Sequence, residues 1–205
     1  MIFQKTIKKE IHCKGFGIHT GKAVSMNIKP AKVDSGINFI RTDLKDKPIV
    51  KAKLDNVLST YRSTKITDNK ATVITIEHFL AACFALSINN LNIEIDSAEL
   101  PILDGGSKYF LDLLLKAGLK KQKEKRQNIK INRYIKVSDD TSSIEYFPYN
   151  SLEITVNIDY KSDVLLEQTA TLKNIEEFKD EIAPAKTFCF FREIDNLKNE
   201  GLIQG

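Results

Sequence analysis

Thr75-Ile76-Glu77-His78-Phe79-Leu80-Ala81-Ala82-Cys83 has the spacing of a buried helix opening. Ile76, Phe79, Leu80 and Cys83 recur three and four residues apart, so one face points to a core. Thr75 suits an N-cap, because a threonine hydroxyl there accepts an orphan backbone N–H. The β-branched pair Val73-Ile74 before it predicts an extended entry. The first turn then sets a carboxylate, Glu77, beside an imidazole, His78. Consecutive helical residues diverge by about 100°, so the two do not pair with each other. They are placed instead to flank a third object, such as a metal ion with its bound water. His78 would be a neutral ligand and Glu77 would take the water's proton. On its own, such a pair is more often a helix end meeting solvent.

Upstream of this stretch, residues 1–14 predict one irregular first strand carrying Ile7, Ile11 and Cys13 among lysines. The glycines of Gly15-Phe16-Gly17-Ile18-His19-Thr20-Gly21 mark a sharp backbone feature that needs positive φ or close approach. The spacing is not GxGxxG and no helix follows, which excludes a dinucleotide loop. Val24, Met26 and Ile28 alternate with polar residues up to Pro30, and Asp34-Ser35-Gly36 turns into Ile37 and Phe39 as the expected hairpin partner. Asp43 to Pro48 is a polar loop, and Val57-Leu58-Ser59-Thr60 is a further strand or a loop lining a cleft.

Downstream, Leu91, Ile93 and Ile95 against Asn92, Glu94 and Asp96 form a period-2 strand. Ser107 is a candidate N-cap for a helix holding Phe110, Leu111, Leu114 and Leu115, which Gly118 ends. The run Lys120 to Gln127 is the one clear composition break. It is expected as a surface linker, 120–127, between a first unit, 1–119, and a second, 128–205; a phosphate-contacting patch is the sharper alternative. In the second unit Ile129 and Ile131, then Ile144 and Tyr146, then Leu152, Ile154, Val156 and Ile158, predict strands. Asn174-Ile175-Glu176-Glu177 resembles a capping box opening a short helix with Phe178 and Ile182 inward, stopped by Pro184. Ala185 to Phe190 is extended, and Arg192 to Glu200 is helical with Gly201 as its C-cap. Strands followed by helices in both halves give an α+β class.

Composition is that of an ordinary globular protein: 205 residues, 42% hydrophobic and 28% charged, with 31 basic against 27 acidic residues for a net charge of +4. So mild a charge does not call for nucleic acid. The opening MIFQKTIKKE lacks the apolar region of a secretory leader, and no apolar run is long enough to span a membrane. Cys13, Cys83 and Cys189 fall outside any CxxC spacing and are expected as reduced thiols of a cytoplasmic protein.

The ordered set GFGIHTG (15–21), TIEHFLAA (75–82), NNLNIEID (89–96), ELPILDGGSKYF (99–110) and AKTFCFFREID (185–195) resembles the UDP-3-O-acyl-N-acetylglucosamine deacetylase family. These enzymes are zinc amidases acting at the committed step of lipid A synthesis in Gram-negative bacteria. The resemblance implies two two-layer α/β sandwiches similar to ribosomal protein S5 domain 2, with the active site between them. It implies His78 as a Zn2+ ligand, Glu77 as the general base, and Thr187 as hydrogen-bond donor to the oxyanion. Phe188 would lie beside the substrate, and His19 would contact it, with fixing of the glycine turn as an equal alternative for His19. Asp104 is expected to be structural. The implied partner is the small-molecule UDP-sugar, handled by a monomer with no nucleic acid and no integral membrane segment.

The chain also departs from the family pattern. The family takes two further zinc ligands from an HxxxD helix and a general acid from a later histidine, whereas this sequence holds only His12, His19 and His78 and no HxxxD. The end at Leu202-Ile203-Gln204-Gly205, just past a C-cap, is expected to be an interruption. The second sandwich would then be incomplete, and the chain inactive or nearly so. A non-catalytic binding module and a truncated product are the competing expectations.

Overall fold

Alternating burial builds the sheet on which the chain rests. The structure, a computed structural model, describes residues 2–205. It opens with β1 (Phe3–Ile7), β2 (Ile11–Phe16), β3 (Ala23–Pro30), β4 (Ile37–Arg41) and β5 (Ile49–Lys51). There follow β6 (Val57–Ser59), β7 (Lys65–Thr67), β8 (Thr72–Ile74), α1 (Glu77–Ala85), β9 (Leu91–Ile95), α2 (Lys108–Ala117) and β10 (Leu119–Lys125). Five strands pair in the order β2-β3-β9-β4-β5, and β6-β7-β8 form a separate three-stranded sheet. Met26 and Ile28 of β3, and Leu91, Ile93 and Ile95 of β9, are fully buried on the inner face. Their polar neighbours Asn27, Lys29 and Glu94 face outward, the alternation that a half-buried strand imposes.

Both helices lie on that inner face. Phe39 of β4 meets Phe79 of α1 edge-on at 6.1 Å, and Phe79 meets Phe110 of α2 at 5.5 Å, so one aromatic column ties sheet to helix to helix. Burial of each ring contributes about 1.5–3 kcal/mol, with about 1 kcal/mol more from each edge contact. Gly118, at φ +74°, ends α2 as expected; that backbone carries no strain only without a Cβ.

Several expectations give way. β4 is not the hairpin partner of β3: β9 inserts between them, antiparallel to β3 and parallel to β4. β9 buries all three of its apolar residues completely, so it takes the centre and pushes the sequence neighbours apart. The single strand expected within 1–14 is instead β1 and β2, which lie in different sheets. The charged run is not a linker. Leu119–Lys125 is the strand β10, antiparallel to β1 from Phe3↔Lys125 to Ile7↔Leu119. What holds it is Gln122, whose side chain accepts from Asn90 and donates to the Ala31 carbonyl, a polar anchor that leaves no hydrophobic periodicity.

Beyond β10 lie two antiparallel hairpins, β11 (Ile135–Ser138) with β12 (Ser143–Tyr146), and β13 (Ile154–Ile158) with β14 (Gln168–Leu172). Ile129 and Ile131 precede them outside any strand. The Asn174 segment forms a single 3-10 turn and a short π-helix, Phe178–Ile182, rather than an α-helix, and the Asn174 side chain donates to Glu177 instead of capping a backbone N–H. α3 (Ile194–Asn199) follows, capped by Gly201 at φ +75°. Leu172, Phe178 and Ala183 join the core of the first half. Among the described residues no helix is long and apolar enough to cross a membrane.

Candidate active site

The Glu77-His78 turn is aimed by strain just before it. Thr75 stands at φ +60°, a left-handed conformation that a β-branched residue rarely takes and that costs on the order of 1–3 kcal/mol. It is therefore not the N-cap; Ile76 holds that position without a side-chain bond. Three contacts hold the kink. The Thr75 N–H donates to the Thr64 carbonyl (3.1 Å), Ile74 is bracketed by backbone bonds to Ala98 and Leu100, and the Thr75 hydroxyl donates to Glu99 Oε1 at 2.9 Å. The chain leaves β8 turned, and α1 begins with Glu77 and His78 half-buried. Glu77 Oε2 accepts the Thr64 N–H at 2.9 Å, which fixes its carboxylate against the loop before β7.

Glu99 is the hub of this corner. Its side chain has no exposed surface, and its two oxygens accept from the His19 N–H (3.0 Å), the Thr20 N–H (2.8 Å) and the Thr75 hydroxyl. The glycine turn thereby meets the root of α1. Gly17 has to be glycine, because a Cβ there would lie 2.3 Å from Glu99 Oε2. The turn closes through Gly17 N–H to the Lys22 carbonyl and Gly21 N–H to the Gly17 carbonyl. His19 is buried on it, with Nε2 3.3 Å from the Arg62 carbonyl and Nδ1 without a partner. Gln204 and Gly205 donate to the carbonyls of His19 and Ile18.

Thr187 and Phe188 come from the extended segment after Pro184. The Thr187 N–H donates to the Gly105 carbonyl at 2.8 Å, and Lys186 Nζ reaches Asp104 Oδ2 at 2.6 Å. Gly106 makes room: a Cβ there would lie 2.4 Å from the Ala185 carbonyl oxygen. Burial alone would raise the Asp104 carboxyl, but the Lys186 ammonium and the Gly106 N–H outweigh it and hold it below the ordinary carboxylate range. Asp104 thus ties the loop before α2 to the segment that carries Thr187. Phe188 is half exposed within an edge-to-face trio with Tyr160 and Phe190, centroids 5.4–5.7 Å apart.

The loop from Tyr61 to Thr64 links these pieces. His19 touches it at Arg62, Glu77 touches it at Thr64, and Arg62 pairs with Glu193 at 2.6 Å. Among the described residues, however, none of His19, Glu77, His78, Thr187 and Phe188 bonds to another of the five. No three His, Cys, Asp or Glu side chains among them form a group able to hold a metal ion. A catalytic zinc takes three protein ligands and an open position, so His78 alone falls short of such a site. Glu99 and Arg62 went unread in the sequence. The one signal for Glu99 was its place as the lone charge in Ser97 to Ile102.

The family model for UDP-3-O-acyl N-acetylglycosamine deacetylase matches residues 4–205. The UDP-3-O-acyl-N-acetylglucosamine deacetylase of Thermodesulfovibrio yellowstonii is 40% identical over 206 residues, covering 100% of this chain and 70% of that protein. The protein of the same name from Bdellovibrio bacteriovorus is 38% identical, with 68% of its length covered. The Bifunctional enzyme LpxC/FabZ of Chlorobaculum tepidum is 37% identical, and the chain spans 44% of its length.

Proposed function

The chain belongs to the UDP-3-O-acyl N-acetylglycosamine deacetylase family, and from that premise we propose that it serves hydrolysis of the acetamide of UDP-3-O-acyl-N-acetylglucosamine in lipid A synthesis. Water adds to the acetamide carbonyl carbon, the C–N bond breaks, acetate leaves, and the amine gains a proton. The observation that carries this reading is the half-buried Glu77-His78 turn, aimed by the strained Thr75 and clamped by Glu99. Glu77 is the general base, its carboxylate held at one oxygen by Thr64 and open at the other. Thr187, fixed through its own N–H, offers its hydroxyl to the oxyanion. Phe188 borders the substrate, and His19 contacts it from the glycine turn.

Zn2+ belongs to the same proposal, with His78 as one of its ligands. Because no three His, Cys, Asp or Glu side chains among the described residues group to hold a metal ion, the 205-residue chain by itself is expected to retain zinc weakly and to turn over poorly. Two units similar to ribosomal protein S5 domain 2, a two-layer sandwich over 1–119 to which β10 is added and an incomplete second one over 128–205, a monomeric state and a cytoplasmic location complete it. The test is to dialyse the purified chain, count bound zinc, and measure acetate release from the UDP-sugar with and without Glu77→Gln. Weak zinc retention, with any residual turnover abolished by E77Q, is expected. Stoichiometric zinc with brisk turnover would overturn the expectation for this chain, and turnover unaffected by E77Q would overturn the role of Glu77.

A further inference from the structure

We propose that the β1–β10 ribbon is a docking surface for an anionic phospholipid bilayer, an inference independent of the deacetylase reading. Between Leu119 and Arg126 stand Lys120, Lys121, Lys123, Lys125 and Arg126 against the single acid Glu124, a net +4. The whole chain also carries +4, so the remainder is neutral and the excess charge sits on one strand. Pairing with β1 brings Lys8 at its end alongside, and an open cleft of about 440 Å³ is lined by Lys8, Lys32, Lys120, Lys121 and Lys123 among others.

These ammonium groups are left uncompensated. Of the ion pairs among the described residues, none involves Lys8, Lys32, Lys120, Lys121, Lys123 or Lys125. The fold anchors the strand by Gln122 rather than by a lysine, and Lys121 lies 3.9 Å above the Phe3 ring. Lys120, Lys121, Lys123 and Lys125 are all exposed along a strand that rises about 3.3 Å per residue, so their ammonium groups are spread along it rather than gathered at one point. Such a row does not converge on one phosphate, and it offers no guanidinium fork for bidentate capture along its face. It matches a plane that carries many phosphates. The ribbon has apolar neighbours suited to the headgroup boundary: Ile2, whose carbonyl accepts the Arg126 N–H, is 51% exposed and Ile129 is 93% exposed. Single-stranded nucleic acid fits less well, because the ribbon has one aromatic ring, Phe3, and Lys121 already stands over it, so there is no series of rings for bases to stack on.

The experiment is co-sedimentation of the full 205-residue chain with phosphatidylcholine vesicles, with or without about 30% phosphatidylglycerol, at about 0.05 M and about 0.3 M salt. Binding is expected only to the anionic vesicles and is expected to weaken at the higher salt. Each basic residue near such a surface is worth about fivefold in partitioning, so K120Q/K123Q/K125Q is expected to lose more than tenfold. K45Q/K51Q/K70Q, with the same change in net charge elsewhere, is expected to stay within about threefold. Unchanged thermal unfolding confirms that both variants fold. Equal binding to neutral vesicles, equal loss in both variants, or tighter binding to a DNA or RNA duplex than to the vesicles at the same salt would overturn the proposal.

Discussion

Glu99 shows how much one side chain can organise. With no exposed surface and three donors aimed at it, its carboxylate is satisfied only by the glycine turn and the Thr75 kink together. In Glu99→Gln an amide N–H would confront one of those donors, so the variant is expected to lose roughly 2–4 kcal/mol of stability. Urea unfolding reads this directly, and a parent-like midpoint would refute the hub. Sequence alone did not reveal it. Thr75 satisfies every local rule for an N-cap, yet its hydroxyl is claimed by a carboxylate 24 residues away. Local capping logic sees nearest neighbours, and a positive-φ threonine is decided by distant ones. The helix that carries Glu77 and His78 was legible, because its apolar residues recur three and four apart.

At the scale of elements, the contact between the Asp104 loop and the Ala185 to Thr187 segment carries a pH signature. Burial pushes the Asp104 carboxyl up, but Lys186 and the Gly106 N–H prevail, so it binds its proton more weakly folded than unfolded. A carboxyl of this kind stabilises the fold above its ordinary value, about 4, and the contribution is lost as pH falls below it. Protease cleavage within 185–190 is therefore expected to accelerate as pH drops through that range, and less so in Asp104→Asn, where the contact is weakened at every pH. Cleavage that is flat across the range would remove the ion pair from the account. The strands β3 and β9 and the ends of α2 and α3 were legible, since alternation and left-handed glycines are local signals. The β10 strand was not. Its lysines imitate a solvated linker, and the inward residue that holds it is polar.

Across the whole molecule, burial is unevenly shared. After Lys125 the only buried hydrophobic side chains among the described residues are Leu172, Phe178, Ala183 and Leu197, and the first three belong to the core of the first half. The hairpins β11–β12 and β13–β14 leave Val137, Ile144 and Val156 exposed. Two-stranded hairpins without a covered face are marginal in water, so their amides are expected to exchange well before those of β3 and β9. Hydrogen exchange read segment by segment tests this, and equal protection would indicate a second core. In the first half the apolar periodicity gave β3, β9 and both helices, though not the insertion of β9 between β3 and β4. The layout of the second half did not follow from it, because its alternating residues describe strands without saying what they pack on.

The pairing of Phe3 with Lys125 has a consequence in time as well as in space. It joins residues separated by 122 positions, so β1 is made well before the strand it pairs with. A nascent chain shorter than this carries Phe3–Ile7 as an open edge with no partner of its own, exposed for the whole synthesis of the sheet and both helices. The partner that covers this edge is the lysine-rich β10, so the sheet edge opened at one end of the unit is closed only by a strand from its other end.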